Sequence, residues 1–553
     1  MIQSLRIPLL FSFLFLCLWT YQAWLEDHPH PAVTPSAHPT GVVETPPPAR
    51  ITDNPAPTLK PDVNTPPALL ESASLMPPSA SVRVVTDVID TEIALRGGVL
   101  QSLNLLGYPE TSGQAGSAPF RIFTADALRY YQAQLGLVTT LGAKAPSHET
   151  LFESAKQEYR LGEDQADLAM ELIAHTPEGL EVVNQYRFFR GSYQIEIRQI
   201  VRNRTAEPWS GRAYQQLVRT APKEEGYQFV YTYTGASFYT PAKKYEKLPF
   251  DKYAKQPLDQ EVTGGWIAMD QHYFLSAWIP PATIPHHLYS HQLEGPRYRI
   301  GMYSPSIRLS PGEETRFETR LLAGPKLQEE LGKVAPGLEF TVDYGNLTIL
   351  SQPLFWLLSK LHVLIDNWGV AIILLTLLIK AAFYKLSEAS YKSMANMRKI
   401  TPRLQALKDR YGDDRERLNQ AMMEMYKKEK INPLGGCLPI VVQVPVFIAL
   451  YWVLLESVEL RDAPFFLWIH SLSVKDPYFV LPLVMGASMW VQQMLNPAPI
   501  DPVQAKVMML MPILFTVFFA FFPAGLVLYW VVNNLLSIAQ QWHITRKISP
   551  ETL

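Results

Sequence analysis

Hydrophobic and polar positions divide the chain into four unlike stretches. Residues 7–25 are an apolar run behind Arg6, long enough at about 1.5 Å per residue to cross most of a bilayer. A cleaved signal peptide needs small residues before its cut site, and Thr20-Tyr21-Gln22-Ala23 supplies them poorly. A lipoprotein cut before Cys17 would meet Phe15 and Leu16 where small residues are required. Residues 1–27 are therefore expected to remain as a transmembrane anchor. From 28 to 80 the chain holds fourteen prolines and no apolar periodicity. Such a segment cannot bury enough surface to offset its ordering entropy, so an extended, disordered tether is expected.

From 81 to 345 the pattern has a period of two. Tyr193-Gln194-Ile195-Glu196-Ile197-Arg198-Gln199-Ile200 and Thr315-Arg316-Phe317-Glu318-Thr319-Arg320-Leu321 alternate as half-buried strands do. Gly, Pro and Asn punctuate these runs, which predicts a large antiparallel, all-β sandwich.

The last stretch, 346–553, carries apolar runs at 368–384, 437–455, 478–495, 507–522 and 524–540. Each is about long enough to span, the shorter ones by local thinning of the bilayer. Ahead of them, within 350–365, Leu354, Leu358, Leu361 and Ile365 recur at helical spacing with Lys360 and His362 opposite, which predicts an amphipathic helix in the membrane interface. Between the first two runs, Met394, Met397, Leu404, Leu407 and Tyr411 fall at helical spacing, Gly412 can end that helix, and Asp413 or Asp414 can cap a second. A charged helical hairpin is expected over 386–431. Its methionines, with Met422 and Met425, either form an adaptable surface for apolar partners or simply hold the two helices together.

Charge orients the helices. The connection 381–432 holds twelve Lys and Arg, and the tail after Gln541 has Arg546 and Lys547, whereas 459–477 has only Arg461 and Lys475. The positive-inside rule places the first connection and the tail in the cytoplasm. Six spans then put both termini inside and the sandwich outside. A net charge of -2 argues against general nucleic-acid affinity, so any basic patch is local. Cys17 and Cys437 both lie in apolar runs, against a structural disulfide or a metal cage. The sandwich offers no nucleophile elbow or phosphate-cradling glycine loop. Its histidine cluster, His286, His287 and His291, has no acidic or cysteine ligand close in sequence and reads as surface histidines.

The strongest chemical signal is Lys380, a cation inside the run 368–384. Burying it costs several kcal/mol unless water or a partner satisfies it. Thr376, four residues earlier, faces the same way; Trp530, Asn533, Asn534 and Ser537 share a stripe on the last span, and Gln443 sits within the second. A lone polar residue in a membrane helix usually serves helix packing, but several together with a lysine point to a wet cavity. Snorkelling competes for Lys380, because Lys385 marks the cytoplasmic boundary only about 7.5 Å away by helical rise.

A family likeness rests on particular residues. Thr341-Val342-Asp343-Tyr344-Gly345, Ser351-Gln352-Pro353-Leu354, Asn432-Pro433-Leu434-Gly435-Gly436-Cys437-Leu438-Pro439, Ser457-Val458-Glu459-Leu460-Arg461, Leu467-Trp468-Ile469-His470 and Phe522-Pro523-Ala524-Gly525-Leu526-Val527-Leu528-Tyr529 occur in order. With them the chain resembles the YidC membrane-protein insertases of Gram-negative bacteria, from about Ser81 to the C-terminus. The resemblance implies a multi-domain membrane protein of the bacterial inner membrane. It would combine an α-helical bundle of six transmembrane helices, five of them the insertase core, with a periplasmic all-β sandwich.

The resemblance further implies a non-enzymatic insertase and chaperone that needs no cofactor or metal. It would work through a hydrophilic groove, alone or with the Sec translocon, on nascent inner-membrane proteins, meeting the lipid bilayer, the ribosome and signal-recognition components but no specific nucleic acid. The groove would use Lys380, Thr376, Gln443, Trp530 and Asn533, and the hairpin Met394, Met397, Met422 and Met425. Lys380 stands where the family normally has arginine; it keeps the charge but loses the planar fork that grips a carboxylate bidentately. Two other classes compete. A transporter would need a midplane site with two-sided access, often with inverted repeats, and the chain has no visible repeat. A tethered periplasmic carbohydrate enzyme or lectin would place the function in the sandwich.

Overall fold

The computed structural model describes residues 80–548 apart from 115, 223–231, 254, 413, 430–437 and 497–501. The anchor at 1–27, all but the last residue of the tether, and residues 432–437 of the glycine-rich motif lie outside the described residues. Contacts divide the chain into two compact units. One, of residues 67–394, 434–496 and 501–553, holds the strands and most helices; the other holds the hairpin residues 395–433 with segments outside the described residues.

Twenty strands, counted among the described residues, run between Ser81 and Pro325. They form one sheet of eleven strands and one of nine. The two alternating runs singled out above are neighbours in the smaller sheet. Strand Gln194–Asn203 pairs antiparallel with Glu314–Pro325, placing Ile197 opposite Thr319 and Gln199 opposite Phe317. Ile195 and Ile197 are fully buried while Arg198 is exposed, as a period of two requires when one face meets a core. That core is shared: Leu103, Leu135 and Ile300 of the larger sheet join Leu172, Phe188 and Trp278 of the smaller in one apolar cluster. The architecture is a sandwich. One of the three histidines departs from its surface reading: His286 is buried, its Nδ1 3.0 Å from the Ile284 carbonyl oxygen, because strand pairing turns it away from solvent.

Nine α-helices follow among the described residues: α1 (Gln328–Val334), α2 (Thr348–Ile365), α3 (Trp368–Ala382), α4 (Tyr384–Tyr411), α5 (Arg415–Lys428), α6 (Leu438–Glu456), α7 (Val480–Met494), α8 (Pro502–Phe519) and α9 (Ala524–Ile548). The corner between α2 and α3 is local chemistry. Asp366 takes the left-handed conformation that ends α2, and Asn367 caps α3 by accepting from the Val370 N–H at 3.0 Å. Helices α3 and α4 meet at Phe383 with a 67° bend, so the apolar run 368–384 yields a helix of 15 residues. By length and composition one described helix, α2, is long and apolar enough to cross a membrane, or two if the bent pair counts as one span; Val442–Glu456 and Ala505–Phe519 are shorter apolar helices. The sequence placed α2 in the interface on the strength of Lys360 and His362. Those residues have partners here, Lys360 with Glu329 of α1 at 3.6 Å and His362 stacked on Trp368 with ring centroids 4.0 Å apart.

The helices do not stand apart from the sandwich. A second apolar cluster runs from Trp266 and Leu275 of the smaller sheet through Leu331, Val342 and Tyr344 to Leu358, Ile372, Leu454 and Leu526 of the helices. Polar contacts reinforce that joint. Lys326, 3% exposed, lies 3.5 Å from the wholly buried Asp270 and donates to the Thr341 carbonyl at 2.8 Å. Arg461, just beyond α6, donates to the Pro109 carbonyl at 2.5 Å and lies 5.3 Å from the Phe274 ring centroid. Asp462 accepts from Ser112 Oγ and the Gly113 N–H, both at 2.7 Å. Glu459 accepts from the Gln328 N–H at 3.0 Å, and burial pushes its carboxyl up to about 7.

Candidate functional site: a polar cavity among the helices

Six helices line a cavity of about 510 Å³. Helix α3 contributes Lys380; the first turns of α4 contribute Ser387, Ser390, Tyr391 and Met394; α6 contributes Gln443 and Phe447. Helix α7 adds Gln492 and Gln493, α8 adds Met508, Met511 and Phe515, and α9 adds Trp530, Asn533, Asn534 and Ser537. Helical spacing explains the α9 row: Trp530, Asn533, Asn534 and Ser537 are three or four residues apart and so share one face.

Lys380 is the one charged residue among the described lining. Its Nζ donates to Ser537 Oγ at 2.8 Å, and Ser537 in turn donates to the Asn533 carbonyl of its own helix at 2.7 Å. No carboxylate lies within salt-bridge distance of Lys380 among the described residues, although twenty such pairs occur elsewhere. The neutral groups satisfy one another. Gln443 Nε2 donates to Asn533 Oδ1 at 2.5 Å, tying α6 to α9, and Asn534 Nδ2 donates to Ser488 Oγ at 3.0 Å, tying α9 to α7. Trp530 Nε1 is buried without a hydrogen-bond partner among the described residues. The result is one cation surrounded by amides, hydroxyls, thioethers and aromatic rings. Such a surface can accept an anionic or hydrogen-bonding segment on one side and apolar groups on another.

Of the residues expected from sequence, Lys380, Gln443, Trp530, Asn533 and Met394 line this cavity. Thr376 stands outside the lining. It shares the Lys380 side of α3, but its buried hydroxyl donates to the Ile372 carbonyl at 2.7 Å, a bond within its own helix. Met397, Met422 and Met425 belong to the hairpin, where each is half-buried. The hairpin itself is joined by Arg403 and Glu429 at 2.9 Å, and Asp414 caps α5 by accepting from the Arg417 N–H at 3.1 Å. Sequence reasoning missed Ser387, Ser390 and Tyr391 of α4 and the contribution of α7. Ser387, Tyr391 and Met394 fall at helical spacing just past the bend, and Gln492-Gln493 close an otherwise apolar run. Both were visible as patterns.

The family profile described as "60Kd inner membrane protein" matches residues 360–551, and that described as "YidC periplasmic domain" matches 81–357. Membrane protein insertase YidC of Thioalkalivibrio sulfidiphilus is 49% identical over 557 residues, covering 99% of both chains. Membrane protein insertase YidC of Nitrosococcus oceani is 48% identical over 98% of this chain and 99% of its own. A crystal structure of active YidC insertase with its first transmembrane domain resolved aligns with 84% of this chain and 92% of that one, at 16% identity and a TM-score of 0.37.

Proposed function

The chain belongs to the YidC family of membrane protein insertases, and from that premise we propose that it inserts newly made proteins into the bacterial inner membrane through the cavity around Lys380. The observation that carries this reading is the cavity's charge pattern: one lysine, bonded to a hydroxyl, with no carboxylate beside it among the described residues. A cation held in such a place at a cost of several kcal/mol is a functional group awaiting an anion.

A hydrophilic segment cannot cross about 30 Å of hydrocarbon unaided, because each unpaired backbone group costs several kcal/mol there. A polar cavity reaching part-way shortens that barrier. Gln443 and Asn533 exchange their mutual bond for bonds to the entering segment, and Lys380 attracts its acidic residues. The substrate's apolar helix meanwhile slides into lipid past the methionine and aromatic side of the lining, including Trp530. Thr376 contributes through its helix, one turn behind Lys380. Hydrophobic partitioning supplies the free energy, aided by the membrane potential on negative charges.

In this reading the anchor and five core helices make six spans with both termini cytoplasmic and the sandwich periplasmic. The domains are 1–27, 28–80, 81–345 and 346–553, and α2 lies along the outer interface. The hairpin, through Met394, Met397, Met422 and Met425, receives substrates and delivery partners such as the ribosome and signal-recognition components. The protein serves as insertase and folding chaperone, independently or with the Sec translocon.

The test is depletion in the host followed by complementation, and then purified protein in liposomes as the sole added factor. Protease protection of the translocated tail of a small membrane protein is expected to fall on depletion and to return in both settings. Normal insertion in depleted cells, or none in the liposomes, would overturn the proposal.

A further inference from the structure

The segment between α6 and α7 carries a turn whose apolar tip is exposed while its base is bound firmly into the protein. The chain leaves Ala463 and returns at Leu472, closing with two backbone bonds: Leu472 N–H to the Ala463 carbonyl and Phe465 N–H to the Ile469 carbonyl, both at 3.0 Å. Between them, Phe466 is 55% and Leu467 82% exposed. Leu467 also holds a left-handed backbone at φ 57°, where a leucine is unfavourable and persists only when its surroundings impose the turn.

The surroundings do impose it. The ring of Phe465 packs so closely on Gly369, at the start of α3, that any side chain there would collide with it. Asp476, wholly buried, accepts from Trp468 Nε1 at 2.9 Å and from the Leu481 N–H of α7 at 2.7 Å. The Ala524 and Gly525 N–H groups, opening α9, donate to the carbonyls of Val474 and Leu472 at 2.7 and 2.9 Å.

The base is thus fixed to the first residues of three helices, α3, α7 and α9. That fixes its depth as well, because those helix starts mark one end of the apolar bundle. Trp368 opens α3, and the rings of Trp468 and Tyr478 lie 6.4 Å apart within this segment; Trp and Tyr are the amphipathic aromatic types that collect where hydrocarbon meets water. On the end of α2 that leads into α3, Val363 and Leu364 are likewise apolar and 74% and 80% exposed.

We propose that Phe466 and Leu467 form a wedge inserted into the headgroup and acyl boundary of the bilayer leaflet at this end of the helices. The partner is the lipid itself. Resting on the membrane reading above, the wedge seats this face of the protein in the interface, and it is rigid because its base is hydrogen-bonded to α7 and α9 and packed on Gly369 of α3.

The experiment uses the full chain with Cys17 and Cys437 replaced by serine and a single cysteine introduced as Leu467→Cys or, in a second variant, Phe466→Cys. The cysteine is labelled with bimane, and the protein is reconstituted into phosphatidylcholine and phosphatidylglycerol vesicles. Leu128→Cys is the control, since Leu128 is also 82% exposed but lies in a loop of the sandwich. Quenching by lipids spin-labelled near the headgroup is expected at 466 and 467 and absent at 128. Quenching by aqueous iodide should be several-fold weaker at the tip than at 128. Iodide quenching equal to that of the control would place the tip in water and overturn the wedge. Protection from both quenchers would show a protein cover and overturn it equally. Because this readout does not involve insertion, failure of the wedge is distinguishable from failure of the insertase reading.

Discussion

The joint between sandwich and helices and the cavity around Lys380 both bury charge, yet they treat it in opposite ways. At the joint the buried cations meet counter-charges: Lys326 lies 3.5 Å from Asp270, and Arg461 lies 3.3 Å from Asp462. In the cavity the single charge meets a hydroxyl, and the neighbouring amides satisfy one another. Paired buried charge holds parts in place, because removing either partner strands the other. Unpaired charge lined by exchangeable neutral groups holds nothing in place and is available to a visitor. Structure and function thus separate by whether a buried ion has already found its counter-charge.

The largest expected effect tests the structural half. Lys326→Met leaves Asp270 buried without its cation, and a broken buried pair costs about 3–5 kcal/mol, which should appear as a lowered thermal unfolding midpoint in detergent. Adding Asp270→Asn should recover a substantial part of that loss. No loss in the single variant would mean that the joint does not depend on its ion pair.

A smaller effect is expected in the cavity. Gln443→Leu removes the bond to Asn533, and interhelical side-chain bonds in membranes are worth about 0.6–1.7 kcal/mol. Stability should therefore change little while insertion of a hydrophilic tail falls. The comparison would collapse if Gln443→Leu unfolded the protein but left insertion intact.

A further effect concerns pH at the joint. Glu459 has its folded value raised from 4.5 to about 7 by burial, so between those values the folded state holds a proton that the unfolded state has released. Stability from this group is then full below about 4.5 and is lost as pH rises towards 7. Hydrogen exchange in α1, corrected for its intrinsic pH dependence, should quicken over that interval in the parent protein and stay level in Glu459→Gln. A parent profile as flat as the variant's would exclude Glu459 as the titrating group.

How much of this was legible in the sequence follows the range of the interactions. Strand alternation is local, so the runs beginning at Tyr193 and Thr315 announced themselves, although nothing local said that they would pair. Asn367 before an apolar run and Asp414 before a charged one are caps of the usual type. Spacing put Thr376 and Lys380 on one side of α3, but spacing gives a face and not a partner, and the Thr376 hydroxyl turned to its own backbone. His286 read as a surface residue because its burial depends on strand pairing with 259–263. The joint was invisible for a plainer reason: Arg461 and Pro109 are far apart in sequence, and no pattern within either segment points to the other. The bend at Phe383 was also hidden, since Lys385 looked like the end of a span and not the start of a new direction.

The claim that Lys380 is the working charge is tested most directly by crossing its substitutions with the charge of a substrate. The same small membrane protein would be prepared with an acidic and a neutralised translocated tail. Each would be presented to the parent, Lys380→Arg and Lys380→Ala proteins at matched expression, with protease accessibility of a tail epitope as the readout. Lys380→Arg should insert both tails, whereas Lys380→Ala should lose the acidic tail by about tenfold, as an interaction worth about 1.4 kcal/mol requires, and keep most insertion of the neutral one. Equal insertion of both tails by Lys380→Ala would show that the lysine merely snorkels to the interface, and would contradict the account.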